Sequence, residues 1–487
     1  MSSSDAWSTN SNDALVLSLV TPSPTGVKSL GHSFHPKFTY SIFGDSEEIF
    51  GYQNLQIQLR YNAADMRPNL SVTYGRKFEA VGDTEAVDIN EVLRDHLPDV
   101  AFQKKSDFEA AIQNLREDWT PPGKLDGTFT SGDSTFEVWK GNLADPAVKQ
   151  LVKRIQILVP LFIEGGSAIP LDEPEDERWT VFFLYQKKAS ISDPSRFSYV
   201  FSGYCTTYRF FHFQPPTPPL SPSERTVDEF PLDGDFDLSQ LPCRTRISQF
   251  IILPPFQKKG LGPRLYSHIF QQLINHPQTT EITVEDPNEA FDDMRDIADL
   301  QYLQNLPDFQ YLRIDTSVAI PKTGPAPNNI VDKAAWDAVR AKAKMTPRQF
   351  ARVLEMHLMS RLPEPVRPGL LADERPAGAA AGASNPTKEQ EHEYKLWRLL
   401  VKKRIYRHNK DALGELPLDE RIAKLEETVS GVEFDYARLL LKAEEQQKRD
   451  SVSVSNGAPA NGNGKRKAEE AEQSVSKKAR VEEGKDE

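Results

Sequence analysis

Cysteine is almost absent from this chain. Cys205 and Cys243 are the only two in 487 residues, which excludes a disulfide framework and points to a reducing compartment. Long apolar runs are missing too: the longest, Ile157 to Ile163, contains Pro160 and is far too short to span a bilayer. The opening Met1-Ser-Ser-Ser-Asp5 has neither the basic nor the apolar stretch of a secretory signal. A soluble intracellular protein with no membrane contact is expected. Positive charge is in deficit, 59 Lys and Arg against 71 Asp and Glu, for a net charge of −12. Phosphate binding needs a basic face, so direct DNA binding is not expected. The nine histidines show no ligand spacing with the cysteines, and neither His-Glu-x-x-His nor a Gly-x-Ser-x-Gly elbow occurs. No metal is therefore expected. Internal repeats are lacking as well.

Acids and prolines are what the chain has in quantity. Asp45, Glu47 and Glu48 form one acidic group, Asp172, Glu173, Glu175, Asp176 and Glu177 a second, and Asp228, Glu229, Asp233, Asp235 and Asp237 a third. Such groups suit a basic peptide, and they equally suit plain solubility. At this length two or three domains are expected. Residues 15–135 read as a mixed N-terminal α/β domain, with period-two alternation at Leu55–Leu59 and a helix over Asp107–Leu115. Residues 136–320 read as an α/β core: a helix over Val148–Leu158, strands over Trp179–Tyr185 and 197–213, then strand, glycine turn, helix, strand and helix from Thr245. A proline-rich acidic insertion, Gln214–Pro242, interrupts it. Residues 321–448 read as helical. Thr346-Pro-Arg-Gln349 has the form of a capping box, and Phe350, Val353, Leu354 and Leu358 follow at helical spacing. A linker spans 363–388, and helices follow near Tyr394–Tyr406 and Glu420–Ala443. Residues 449–487 read as a disordered tail. The fold class is α/β (α+β).

The most informative stretch is Arg246 to Tyr266. Ile247–Leu253 has the pattern of a buried strand ended by Pro254 and Pro255, Gln257–Gly262 forms a turn, and Leu265, Ile269 and Leu273 mark one face of a helix. Gly260 and Gly262 at a helix start leave backbone N–H groups unpaired and uncovered, which with the helix dipole makes a pyrophosphate site. A Walker A loop is absent, and the third glycine of a dinucleotide fingerprint falls on Leu265. Gln-x-x-Gly-x-Gly between this strand and this helix resembles the coenzyme-A motif of the GNAT superfamily of N-acetyltransferases.

The next strand, Glu281-Ile-Thr-Val-Glu285, runs into Asp286-Pro-Asn-Glu289. Asp286 with Glu289 has the form of a capping box with Pro287 at the first helical position, which gives Asp286 a structural role. Glu285 has none. A lysine acceptor arrives as an ammonium with a pKa of roughly 10.4 and must shed a proton before it attacks a thioester. A carboxylate at the strand mouth, acting directly or through a water, is the simplest base, with Asp286 as a possible support. The spacing alone also fits a solvated strand-end acid.

Ile247-Ser-Gln-Phe-Ile-Ile-Leu-Pro-Pro-Phe-Gln257 and Glu281-Ile-Thr-Val-Glu-Asp-Pro-Asn-Glu-Ala-Phe-Asp-Asp293 together resemble the type B histone acetyltransferase catalytic subunits, fungal branch. Fainter similarity lies at Phe43–Tyr52, Glu175–Trp179, Gly203–Tyr208 and Trp397–Tyr406, so that it spans most of residues 30 to 445. The resemblance implies a GNAT-type acetyltransferase core that uses acetyl-CoA as co-substrate and acetylates lysines on the tail of newly made histone four. It implies that Phe250, Ile251 and Ile252 offer backbone to the pantetheine arm. Gln257, Lys258, Lys259, Gly260, Leu261, Gly262 and Pro263 would cradle the pyrophosphate, Asn288 would touch the cofactor, and Glu285 would be the base. The histone tail would lie against Asp45, Glu47, Glu164, Trp179, Tyr208, Arg209, Phe210 and Phe291. Trp179, Tyr208 and Phe291 also suit a plain aromatic core, and Asp45 and Glu47 a solvated turn. The resemblance further implies a histone-binding WD-repeat β-propeller as partner. Phe230-Pro-Leu-Asp-Gly-Asp-Phe-Asp-Leu238, acidic with spaced hydrophobes inside the 214–242 insertion, suits docking on another protein.

Two rival functions are an acetyltransferase for a small amine or protein N-terminus, and a histone-binding scaffold that has lost catalysis. The N-terminal domain and acidic groups argue against the first, the intact Gln257–Gly262 turn and Glu285 against the second. Lys465-Arg-Lys467 and Lys477-Lys-Ala-Arg480 have the form of a bipartite nuclear signal over 465–480, so cytoplasm and nucleus are the expected locations.

Overall fold

The computed structural model describes residues 7–171, 176–189, 197–211, 241–321, 324, 326–369 and 385–455. The acids Asp172, Glu173 and Glu175, nearly all of the 214–242 insertion, the middle of the 363–388 linker and the basic clusters of 465–480 lie outside those residues. Residues through Leu440 form one compact unit, and those from Leu441 a second.

The chain opens with β1 (Ser8–Asn10), α1 (Ser11–Ala14), β2 (Leu15–Ser23) and β3 (Gly26–Ser29), followed by α2 (Tyr40–Phe43). Short strands β4 (Glu48–Phe50) and β5 (Tyr52–Gln53) precede β6 (Gln56–Asn62), β7 (Pro68–Thr73) and β8 (Arg76–Lys77). A four-stranded sheet in the order β3-β2-β6-β7 results, with β2 and β6 parallel. Alternation of buried and exposed residues along β6 is what a sheet with one solvated face requires. After α3 (Ile89–Arg94), α4 (Lys105–Gln113) lays Phe108 and Ile112 against Val20 of this sheet.

The second sheet has six strands: β9 (Lys124–Ser131), β10 (Ser134–Asn142), β11 (Trp179–Ala189), β12 (Phe197–Phe211), β13 (Cys243–Ile252) and β14 (Thr279–Val284). Their order is β14-β13-β12-β11-β10-β9, antiparallel throughout except for the parallel β13–β14 pair. β9 and β10 pair as a hairpin of this sheet, so the domain boundary expected at 135/136 falls inside it. Ala63 bridges the two sheets: its N–H donates to the Val20 carbonyl, and Phe201 N–H donates to the Ala63 carbonyl. Helices α5 (Pro146–Ile155) and α6 (Leu158–Phe162) lie between β10 and β11. They split the helix expected over Val148–Leu158 at Gln156 and Ile157, and α6 is wholly buried.

Between β13 and β14 runs α7 (Leu261–Asn275). After β14 come α8 (Glu289–Gln304), α9 (Pro307–Gln310), α10 (Lys333–Ala343), α11 (Pro347–Ser360), α12 (Lys388–His408), α13 (Lys410–Gly414) and α14 (Leu418–Ser455). The last helix thus runs past the point where the tail was expected to begin. Thr346 caps α11 by accepting from Gln349 N–H. The expected box does not close, because the Gln349 amide donates instead to Asp296 and Asp299. Tyr266 of α7 also donates to Asp299 at 2.8 Å, Arg352 pairs with Asp296, and Arg404 and Tyr436 converge on Glu355. This chain of buried charges joins α7 through α8 and α11 to α12 and α14. A buried charge persists only when such partners surround it, and removing one strands the other at a cost of about 3–5 kcal/mol.

Burial pushes the Asp299 carboxyl up to about 6, against the opposing pull of Arg295, Tyr266 and Gln349. The folded chain holds that proton more tightly than the unfolded chain, where Asp ionises near roughly 3.9. This group's contribution to stability is therefore full below about pH 4 and is lost as the pH rises through about 6. Asp299→Asn should flatten that part of the stability profile between about pH 4 and 7, read by thermal unfolding. An unchanged slope would clear Asp299 as its source.

Candidate functional site

The site grows from a place where two strands part. Pairing of β13 with β14 runs from Cys243↔Thr279 to Ile247↔Val284 and is closed by Glu285 N–H donating to the Ile247 carbonyl at 2.9 Å. On its other side β13 stays paired with β12 as far as Ile252↔Gly203. Among the described residues, one edge of Ser248–Ile252 is thereby left without a strand partner. Ser248 is an extra residue in the ladder, since Thr206 faces Gln249 while Thr207 faces Ile247. Such a bulge bends its strand and sharpens the twist, which turns β13 away from β14 at that point. Phe250, Ile251 and Ile252, expected as backbone donors and acceptors, all lie beyond the parting.

From Ile252 the chain enters the glycine turn. Gln257 donates its side-chain amide to the Ile252 carbonyl at 2.7 Å and closes the turn on the strand end. Lys258 and Gly260 have φ of 60° and 71°, a region that a glycine occupies without strain. Gly260 is the N-cap of α7 and supplies no side-chain cap. The first N–H groups of a 15-residue helix, at Leu261 and Gly262, thus face an exposed turn with the positive end of the dipole behind them. A β-carbon on Gly260 would meet nothing within 4 Å, whereas one on Gly262 would lie 3.1 Å from Met294 Sδ. Gly262 therefore makes room for α8, a packing role that its spacing in the motif did not reveal. Lys259 folds back, its ammonium donating to the Pro255 carbonyl at 2.7 Å. Ser131 of the β9–β10 hairpin donates to the Lys259 carbonyl and Arg264 to the Thr130 carbonyl, which tie turn and hairpin together.

At the other end of the parting lies an open cleft of about 590 Å³ lined by Phe210, Arg244, Arg246, Thr283, Val284, Glu285 and Asp286. Glu285 is the first residue past β14. Its Oε1 stands 3.2 Å from Arg246 Nη1, and the Arg246 guanidinium carbon lies 4.5 Å from the centre of the Phe210 ring. Trp179 pairs with Tyr208 across β11 and β12, with ring centres 4.8 Å apart, and Tyr208 lies 4.6 Å from Phe210. These three aromatics form a row that ends at the Arg246–Glu285 pair.

Asp286 does not cap α8. It sits at φ 31°, and Asn288 is the N-cap, its Oδ1 accepting from Phe291 N–H at 2.9 Å. The expected box fails because Asn288 lies one residue before the helix and has the right reach, so Asp286 is released to line the cleft while the Asn288 oxygen is engaged within the protein. Phe291 stands apart from the aromatic row, packing on Phe250 and Tyr266 at 5.2 and 5.8 Å. Arg209 is also turned away: it donates to the Glu177 carbonyl at 2.7 Å. Glu47 is spent on α2, accepting from Thr39 and Tyr40 N–H at 2.6 and 3.2 Å, bonds that draw its carboxyl below the usual range, the Thr39 bond most, against some opposition from burial. Asp45 and Glu164 are exposed. The Glu164 loop is anchored by Gly165 N–H donating to the Tyr40 phenol oxygen at 2.6 Å and by Gln249 donating to the Ser167 carbonyl.

Arg246, Gln249 and Ser131 were not singled out from the sequence. Arg246 and Arg244 were detectable as charges alternating along an otherwise buried strand. Gln249 and Ser131 carry no local signal. Among the described residues no group of His, Cys, Asp and Glu is placed to hold a metal ion.

A family model described as the N-terminus of the histone acetyl transferase HAT1 matches residues 7–164. The histone acetyltransferase type B catalytic subunit of Neurospora crassa is 55% identical, with 99% of this chain and 100% of that protein aligned. That of Gibberella zeae is 48% identical over 99% and 100%, and that of Aspergillus oryzae 40% identical over 90% and 87%. A solved structure described as AtaTR bound with AcCoA overlaps 32% of this chain and 72% of its own at 14% identity and a TM-score of 0.17, too slight a likeness to bear on the fold.

Proposed function

The chain belongs to the family of type B histone acetyltransferase catalytic subunits, and from that premise we propose how its residues carry out acetyl transfer to histone. The parting of β13 and β14 carries the reading. The open edge of Ser248–Ile252 suits the amide-bearing pantetheine arm of acetyl-CoA, and the uncapped start of α7 suits its pyrophosphate. An extended ligand seated on both brings its thioester toward the cleft at Glu285.

Glu285 takes the proton of the acceptor ammonium, directly or through a water, with Asp286 in support. The neutral amine then attacks the thioester carbonyl. The C–N bond forms, the C–S bond breaks, and the sulfur leaves as a thiolate that is reprotonated. Transfer is direct within a ternary complex, because both cysteines are buried and burial raises the Cys205 thiol above its ordinary value, which makes it a poor acyl carrier. The acceptor is a lysine of the free histone four tail. Trp179, Tyr208 and Phe210 flank its apolar stem, and the exposed carboxylates of Asp45 and Glu164 favour the basic residues around it. This activity serves the acetylation of new histones before chromatin assembly. A histone-binding WD-repeat β-propeller is the partner, supported by the spaced hydrophobes of 230–238. Deleting 214–242 should abolish co-purification with such a propeller, and undiminished capture would move the docking surface elsewhere.

The test of the chemistry is labelled acetyl transfer to separated core histones and to a small polyamine. Wild-type protein should label histone four, and Glu285→Gln should lower turnover roughly 10²–10⁴-fold, the range for losing a general base, with acetyl-CoA affinity unchanged. Preference for the polyamine would overturn the acceptor, and wild-type turnover in Glu285→Gln would pass the base role to Asp286.

A further inference from the structure

Glu285 stands where the backbone does little to hold it. It follows the last residue of β14 and precedes Asp286, whose φ of 31° breaks the extended conformation. Its side chain is 39% exposed. A carboxylate in that setting samples several rotamers, and a base that must meet an ammonium cannot be left to do so. Arg246 is the group that narrows the choice. It is fixed at its root within the sheet, opposite Tyr208 on one side and Thr283 on the other. Its guanidinium is supported by the Phe210 ring at 4.5 Å, and the Nε end of its fork is buried. Nη1 then meets Glu285 Oε1 at 3.2 Å.

We propose that Arg246 is the positioning residue for Glu285: held between Tyr208, Phe210 and Thr283, it fixes the carboxylate at the cleft mouth in the orientation that accepts the acceptor's proton. The inference rests on Glu285 being the base. A planar guanidinium is suited to the task, since its rigid fork sets direction as well as charge, which the single point charge of a lysine does not. The repulsion that this cation would exert on a basic peptide is reduced by its surroundings. Glu285 offsets its charge, and the Phe210 ring covers one face. The neighbouring Arg244 is likewise engaged, its Nε 2.9 Å from Glu281.

The full-length chain is assayed by initial rates of labelled acetyl transfer to histone, with acetyl-CoA and histone varied separately. Arg246→Met keeps the apolar stem and removes the fork. It should lower kcat roughly 10- to 100-fold, the scale produced by a misplaced catalytic group, while the KM for acetyl-CoA stays near wild type. Arg246→Lys should recover part of the loss, and Arg246→Gln replaces Arg246→Met if thermal unfolding shows the latter misfolded. A role through Glu285 further requires that Arg246→Met cost little more in a Glu285→Gln background, where no carboxylate remains to be positioned. Turnover at or above wild type in Arg246→Met would overturn the proposal, as would losses that simply multiply in the double variant. Wild-type turnover in Glu285→Gln alone is a different result, because it would remove the base itself.

Discussion

The proposed site depends on two parallel strands that stop pairing after Ile247 and Val284. A continuous ladder would satisfy the backbone of Ser248–Ile252 internally and leave nothing for a ligand. The bulge at Ser248 bends one strand away, and on the other side the left-handed Asp286 diverts the chain into the Asn288 cap of α8. Packing keeps the two apart: Phe291 of α8 rests against Phe250 of β13, and Ile282 N–H of β14 donates to the Lys344 carbonyl at 2.7 Å on its outer edge. One geometric fault thus creates the open edge, sets Glu285 at its mouth and aims the strand at the glycine turn.

The helices beyond β14 keep that geometry in place at some electrostatic cost. Asp296, Asp299 and Glu355 are all but inaccessible to solvent, yet each is answered by named partners on neighbouring helices. Apolar side chains of the same volume would often be as stable. What charges add is direction, because Tyr266 on α7 and Gln349 on α11 each donate to a different oxygen of Asp299. The helix whose first turn faces the proposed pyrophosphate is therefore wired to the C-terminal helices rather than merely resting on them.

Local features of this architecture were legible in the sequence, and non-local ones were not. The β13 strand, the Gln257–Gly262 turn and the α7 helix follow from patterns a few residues long, and so does the burial of Phe350, Val353, Leu354 and Leu358. The two expected capping boxes fail for different physical reasons. The Gln349 side chain has tertiary partners in Asp296 and Asp299, while at α8 a local competitor, Asn288, is nearer the helix start than Asp286. Glu47 was drawn to the α2 backbone. The Ser248 bulge depends on how β12 registers against β13 across a long insertion, which no local pattern encodes. Arg246 acquires meaning only once Phe210 and Glu285, 36 residues before it and 39 after it in the sequence, stand on either side.

The central claim is that acetyl-CoA occupies the open edge of β13 and the start of α7 at once. Amide hydrogen exchange of the full-length chain, with and without coenzyme A, tests it most directly. Protection should rise within Ser248–Ile252 and Leu261–Arg264 together, with little change along β9 to β11. Protection confined to other segments, or a response in the turn with none along β13, would contradict the account.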